Sequence, residues 1–202
     1  LTPQQNWTDM VNLALGVTTR HDPSSSAATV FPALEMERAG LIVGPRTFST
    51  GEIIYGAKEP EVYAQIDGLD DARAHVRRLK AQGAHSIKNY NQPRREQRQQ
   101  VVAAALEVNM RSVAEGGSLF GLDMTLIADG NTTVEHNIPL STFYDDVLQF
   151  FSKSKTGYTP TLVVTYGGPA GDPYWRAHTD VWRHPLLQKH EPPSILNAAN
   201  AR

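Results

Sequence analysis

At 202 residues, with 40% hydrophobic and 20% charged content, the chain is long enough for one well-packed domain and for no more than two small ones. Its formal net charge of −2 gives no electrostatic case for nucleic acid or an anionic membrane surface, and no apolar run approaches the ~20 residues of a membrane span. The absence of cysteine excludes disulfides, thiolate metal sites and cysteine nucleophiles, while leaving the compartment open between bacterial cytoplasm and periplasm.

The first residues, Leu1-Thr2-Pro3-Gln4-Gln5, have neither the basic nor the apolar region of a signal peptide. No initiator methionine stands there, so an upstream segment is expected. Apolar residues at Trp7, Met10, Val11, Leu13 and Leu15 predict a short helix stopped by Gly16, and the β-branched run from Val17 to Asp22 predicts a strand. Pro23-Ser24-Ser25-Ser26 is a loop able to cap a helix from about Ala27 to Ala39, ended by Gly40. Leu41-Ile42-Val43 and Arg46-Thr47-Phe48-Ser49 read as the next strand, interrupted by Gly44-Pro45. The Gly- and Pro-punctuated stretch from Thr50 to Gly68 reads as a long loop.

Asp70 to Gln82 is an amphipathic helix, with Ala72, Ala74, Val76, Leu79 and Ala81 set among basic residues. Ala84 to Tyr90 follows as a strand, and Pro93 opens a helix from Arg94 to Glu107. A strand from Asn109 to Glu115 leaves through Gly116-Gly117. After it come a weak helix over Leu119 to Ala128, a short strand ending at His136, and a helix from Tyr144 to Ser152 that turns Val147, Leu148, Phe150 and Phe151 inward. Tyr158 to Thr165 is the last clear strand, and from about residue 167 the chain has little regular pattern.

These are about six strand–helix alternations without an antiparallel hairpin signal, which predicts a parallel sheet with right-handed crossovers. A closed barrel of eight such units usually takes ~250 residues. The chain is therefore about two units short of closure, or else an open doubly wound sheet. No glycine-rich nucleotide loop of the Rossmann or Walker type follows a strand.

Three polar groups stand at the C-terminal ends of successive short strands: Lys88, Glu115 and His136. That placement is what a metal site on a parallel α/β barrel looks like in sequence. A lysine ligates poorly as an ammonium but well once CO₂ has carboxylated it to a carbamate. The competing reading of Lys88 is a surface lysine at a strand end. Tyr90, Arg94 and Arg95 follow it and are candidates for binding a substrate carboxylate, or for a solvated helix start. Asp22 before Pro-Ser has the character of a turn residue, and His178, His184 and His190 that of solvent-facing side chains.

The ordered set of motifs resembles the metal-dependent amidohydrolase superfamily, the imidazolonepropionase- and prolidase-like enzymes, over roughly residues 5 to 165. Leu15-Gly16-Val17-Thr18-Thr19-Arg20-His21-Asp22 is similar to the family's second strand, and Ile87-Lys88 to its fourth. Val113-Ala114-Glu115-Gly116-Gly117 stands at its fifth, Val134-Glu135-His136 resembles its sixth, and Thr159-Pro160-Thr161-Leu162 its seventh. The nearest likeness is to the subgroup that follows a TolB-like propeller.

The resemblance implies an incomplete TIM-type (β/α) barrel carrying strands two to seven of eight, occupying residues 1–202 as one partial domain. It implies hydrolysis of a C–N bond in an amide, cyclic amide or dipeptide, with one or two divalent ions, zinc above all, in the complete enzyme. Lys88 would be the carboxylated bridging ligand, Glu115 and His136 further ligands, and Tyr90 and Arg94 substrate contacts. Glu115 departs from the histidine that many relatives place there. The His-x-His pair of strand one and the aspartate of strand eight have no counterpart, so metal binding is expected to be weak or absent in this chain and no catalytic acid or base is assigned. The alternative is a catalytically inactive fragment that folds and self-associates as a homo-oligomer; an open-sheet α/β binding protein is a third reading.

Overall fold

The computed structural model describes residues 2–59, 63–117, 119–162 and 178–198. The elements in chain order are α1 (Trp7–Ala14), β1 (Thr19–Asp22), α2 (Ala27–Arg38), β2 (Arg46–Ser49), β3 (Ile53–Tyr55), β4 (Tyr63–Gln65), α3 (Leu69–Gln82) and β5 (Ser86–Asn89). They continue with α4 (Arg95–Glu107), β6 (Arg111–Glu115), α5 (Phe120–Ala128), β7 (Thr133–Glu135), α6 (Asp145–Ser154) and β8 (Gly157–Thr159). Among the described residues a 3₁₀ turn (Val181–Arg183) and two short helices, α7 (Pro185–His190) and α8 (Pro193–Ala198), follow. The chain divides into two compact units, Leu1–His21 with Pro32–Phe48 and Val163–Arg202, and Asp22–Phe31 with Ser49–Leu162.

The second unit holds a six-stranded sheet in the order β4-β3-β5-β6-β7-β8, every recorded pairing parallel. The expected alternating α/β architecture with a parallel sheet is what forms. Helices α3, α4 and α5 pack on one face, meeting Ile54, Ile87, Ala114 and Val134 with Val76, Leu79, Val101, Ala105, Leu126 and Ile127, all buried. Each such aliphatic side chain contributes ~1.5–3 kcal/mol on full burial. The same face carries a satisfied amide network. Asn131 accepts from the Ser112 hydroxyl at 2.7 Å and the Asn89 amide at 3.1 Å, and donates to the Leu126 carbonyl at 2.9 Å. Polar groups at this depth are tolerated because each finds a partner.

α3 shows why these boundaries fall where they do. Asp71 accepts the backbone N–H groups of Asp67 and Gly68, closing the N-terminus. Gly83, at φ 106°, turns the chain left-handed and returns its N–H to the last carbonyls. Two residues later the His85 N–H bonds to the Ser49 carbonyl, and β5 begins.

In the first unit, Asp9 of α1 is buried and pairs with Arg20 of β1 at 2.6 Å, while Arg20 also donates to Thr47 of β2 at 2.9 Å. The strand expected at Leu41–Val43 does not form. The Gln5 side-chain amide takes both backbone groups of Val43, each at 2.8 Å, where a neighbouring strand would have done so. Asp22 has the turn role its neighbours imply, accepting from the Ser24 N–H and the Ser25 hydroxyl. The tail after residue 177 is more regular than its sequence suggests, since Pro185 and Pro193 each begin a helix, a position where proline's missing N–H costs nothing.

Two further expectations are corrected. The Thr50–Gly68 stretch contains β3 and β4, and β3 is an interior strand of the sheet. α6 does not bury the residues expected to turn inward: it has none that are buried, and Leu148 and Phe150 are exposed. Only Phe151 packs on the Ala114–Leu126–Val134 cluster. Phe151 of α6 packs on Tyr158 of β8 with ring centroids 5.5 Å apart, and beyond β8, the last strand of the sheet, there is no further strand among the described residues. Val17 and Leu162 are likewise exposed, whereas Ile87, Val113 and Val134 are buried. Residues 163–165 of the last expected strand lie outside the described residues. No helix among the described residues is long and apolar enough to cross a membrane.

Candidate active site

Paired residues in a parallel sheet point to the same face, and successive residues alternate. Tyr63, Ile53, Lys88, Val113 and Thr133 therefore form one row on the face away from α3–α5. The next row on that face holds Gln65, Tyr55, Glu115, Glu135 and Thr159, with Tyr90 entering between Tyr55 and Glu115 at the exit of β5. The C-terminal strand ends thus bring Lys88, Glu115 and Tyr90 onto a single face.

Lys88 is buried at 3% exposure, and its ammonium pairs with Glu115 Oε2. Glu115 Oε1 in turn contacts His136 Nε2 at 2.8 Å. The other imidazole nitrogen, Nδ1, lies 2.7 Å from the Thr161 hydroxyl. A carboxylate can only accept, so Nε2–H is the donor to Glu115, and in the neutral ring Nδ1 accepts from Thr161. The three sequence candidates form a continuous Lys–Glu–His chain, which excludes the surface-lysine reading of Lys88.

Strict alternation would aim His136 at the helices. Its backbone instead adopts φ 67°, the left-handed region that histidine enters more readily than most residues, and this turns the ring toward Glu115. The glycines after Glu115 make room for that approach. A Cβ on Gly116 would sit 2.5 Å from the Glu135 carbonyl, and one on Gly117 would sit 2.8 Å from the His136 Cβ. The carboxylate of Glu135 accepts from the Thr133 hydroxyl of its own strand at 2.7 Å.

Behind this turn lies Asp123 of α5, fully buried. Its Oδ1 accepts the Gly117 N–H at 3.0 Å, while Oδ2 has no partner among the described residues. Burial pushes its carboxyl above the ordinary range, against the opposing pull of the Gly117 hydrogen bond and of His136. Neither Asp123 nor its role was visible in sequence, where it reads as one polar residue in an apolar helix.

Tyr90 joins the cluster from the side. Its ring packs edge-on against Tyr55 at 5.2 Å and Tyr63 at 5.8 Å. Burial raises its hydroxyl pKa, and the fields of Tyr63 and Glu115 add to this, so Tyr90 is a neutral donor at pH 7. Arg94 does not join: it is exposed at the start of α4 and makes no recorded bond to Lys88, Glu115 or His136. Arg95 is committed elsewhere, holding Asp129 through contacts at 2.7 and 3.0 Å. His178 and His184 are exposed and His190 half-buried.

Among the described residues no group of three or more His, Cys, Asp or Glu side chains gathers that could hold a metal. Glu115 and His136 supply one carboxylate and one imidazole, both suited to a borderline divalent ion. Lys88 adds a third donor once its ammonium is replaced by a carbamate, which then brings a second carboxylate-like group beside Glu115. The donor chemistry fits a divalent ion at a partial, three-ligand site.

No family model matches the chain, and no curated protein matches it. Solved structures do. A Xaa-Pro dipeptidase with methionine bound in its active site superposes with a TM-score of 0.63 at 18% identity, over 96% of this chain and 50% of that one. A protein described as a prolidase from Bifidobacterium longum gives 0.61 at 21% identity, over 90% and 47% of the two chains. Bottromycin amidohydrolase gives 0.57 at 18%, over 96% and 49%. The chain spans about half the length of the structures it matches. The fold is that of about half of each of these structures, as the resemblance carried by the sequence motifs implies for the fold.

Proposed function

We propose that this chain carries strands two to seven of a metal-dependent hydrolase of C–N bonds in amides, cyclic amides or dipeptides, on an incomplete (β/α) barrel with about six of eight units. What carries the reading is the contact of Lys88, Glu115 and His136 at the ends of three adjacent parallel strands. Lys88 as its carbamate, Glu115 and His136 would hold a divalent ion, zinc first among the candidates, which would supply Lewis acidity toward the scissile carbonyl. Thr161 fixes the imidazole of His136 through Nδ1, leaving Nε2 for Glu115 or for the ion. While the amine is uncarboxylated, Glu115 accepts from both the Lys88 ammonium and the His136 Nε2–H and so holds the two groups in place. The Tyr90 hydroxyl, protonated and beside Glu115, is placed to donate to a substrate carbonyl or carboxylate; Arg94 is the outer candidate for a substrate carboxylate.

The test is hydrolysis of a panel of dipeptides and N-acyl amino acids by the 202-residue chain, with zinc and bicarbonate supplied. Weak turnover that disappears in Lys88→Ala and in His136→Ala supports the reading; turnover unchanged in both variants refutes it.

A second reading is favoured by the exposure of Leu148 and Phe150 on α6 and of Leu162, beside the edge strand β8. An open parallel edge flanked by apolar side chains invites pairing with another chain. On this reading the chain self-associates as a homo-oligomer without a competent site. Sedimentation showing a stable monomer at micromolar concentration would overturn it.

A further inference from the structure

Three tyrosines stand on the same sheet face as Lys88, in the two rows that hold Lys88 and Glu115. Tyr63 shares the row of Lys88 through Ile53, and Tyr55 shares that of Glu115. Their rings pack on one another with centroids 5.2 to 5.8 Å apart, and the two contacts of Tyr90 are edge-to-face. At that spacing no ligand group fits between the rings, so they form a wall rather than a cage. Each ring remains half-buried, with surface left to cover.

The wall is held by two side-chain amides, half-buried Gln92 and buried Gln97. The Gln92 side chain donates to the Ile54 carbonyl and accepts the Gly56 N–H, both at 2.7 Å, clamping the backbone on either side of Tyr55. The Gln92 N–H bonds to the Tyr90 carbonyl at 2.8 Å, so one residue ties the two strand ends together. Gln97, 1% exposed, donates to the carbonyls of Gly56 and Ile66 from the other side. Gly56 is required for this, because a Cβ there would lie 2.3 Å from the Gln97 carboxamide. Two side-chain amides spent on fixing a three-residue strand is a device for holding side chains still, which is what a binding surface needs.

We propose that Tyr55, Tyr63 and Tyr90 form a rigid subsite wall that takes an uncharged, bulky apolar side chain of the substrate, aromatic or cyclic, beside the Lys88–Glu115 centre. An aromatic or cyclic group gains area and ring–ring packing on such a surface. An acidic side chain would lie against the Glu115 carboxylate and is disfavoured. The inference rests on Lys88–Glu115 being the reacting centre, and binding rather than turnover is measured so that the two readings can fail separately.

The chain is labelled with 3-fluorotyrosine, and the seven tyrosine resonances are assigned by single Tyr→Phe variants. It is then titrated with N-acetyl-phenylalaninamide, N-acetylglycinamide and the α-amide of N-acetylglutamate. The expected result is binding of the phenylalanine probe at least ~10-fold tighter than the other two, with shifts at Tyr55, Tyr63 and Tyr90, since packing differences of a few methylene groups reach this size. Tyr55→Leu and Tyr63→Leu, checked for folding by circular dichroism, should abolish the preference, and Lys88→Met should keep it. Equal affinities in the unsubstituted protein, shifts confined to other tyrosines, or a preference that survives both leucine variants would each overturn the proposal. A preference present without any hydrolysis would leave the subsite standing and remove the hydrolytic reading.

Discussion

Replacing Glu115 by leucine tests the ion pair at the centre of the site. The side chain of Lys88 is 4% exposed and that of Glu115 18%, so the ammonium is out of water and Glu115 is its recorded ionic partner among the described residues. Removing one member of a buried pair leaves the other charge uncompensated, at a cost of ~3–5 kcal/mol. The partial exposure of Glu115 argues for the lower end, about 3 kcal/mol. His136, at 44% side-chain exposure, adds little because water replaces its partner. For a chain of this size each kcal/mol lowers the melting temperature by ~2–4 °C, so Glu115→Leu should melt about 6–12 °C lower.

The double variant Lys88→Met with Glu115→Leu behaves differently. Two apolar groups of similar volume restore packing without any desolvation cost, and the expected stability equals or exceeds that of the unsubstituted chain. Trp7 and Trp182 belong to the other compact unit, and no tryptophan lies between Ser86 and Glu115, so tryptophan fluorescence is the wrong probe. Hydrogen exchange of the β5 and β6 amides, from Ser86 to Glu115, reports the right place. If Glu115→Leu leaves that protection unchanged, or if the double variant is as weak as the single one, an uncompensated buried ammonium is not what weakens the single variant.

Further outcomes follow from the same geometry. Zinc retained after dialysis should be sub-stoichiometric and vanish in His136→Ala; one tightly held ion per chain would mean that ligands beyond Lys88, Glu115 and His136 exist. Because burial raises the Asp123 carboxyl, the stability it contributes is complete below the ordinary aspartate value of ~3.9 and is lost as pH rises through the folded-state value. Asp123→Asn, which keeps an acceptor for the Gly117 N–H, should therefore melt higher than the unsubstituted protein at pH 7 and converge with it below about pH 4, and a constant offset at all pH values would contradict this. Gly56→Ala drives a methyl into Gln97 and should cost ~1–3 kcal/mol in urea unfolding; a neutral result would mean that Gln97 moves freely.

The helices were readable from sequence because their apolar spacing is a local property. α3 and α4 begin and end within one residue of the expectation, set by Asp71, Gly83 and Pro93. β3 was not readable. Ile53-Ile54-Tyr55 is too short for a period to show, and pairing with β4 on one side and with Lys88 and Asn89 of β5 on the other makes it part of a sheet. Lys88, Glu115 and His136 were found because strand ends are local features, yet nothing local foretells the left-handed turn that aims His136. The exposure of Leu148 and Phe150 shows the opposite limit, since amphipathic spacing identifies an apolar face but not whether anything covers it.

The strand β5 shows how the two faces divide stability from chemistry. A parallel strand buried on both sides ordinarily reads as a continuous apolar run, yet all four residues Ser86, Ile87, Lys88 and Asn89 are buried and three of them are polar. Asn89 is explained by the amide network on the helix side, where it is bonded to Asn131, Gln92 and the Arg98 carbonyl. Lys88 has no such structural purpose. An apolar residue there would pack beside Val113 without the desolvation cost of an ammonium, and the charge is matched only because Glu115 has been brought two residues further along the next strand. A buried charge that packing does not need, at the end of an interior strand, marks where the sequence departs from the local rules of folding.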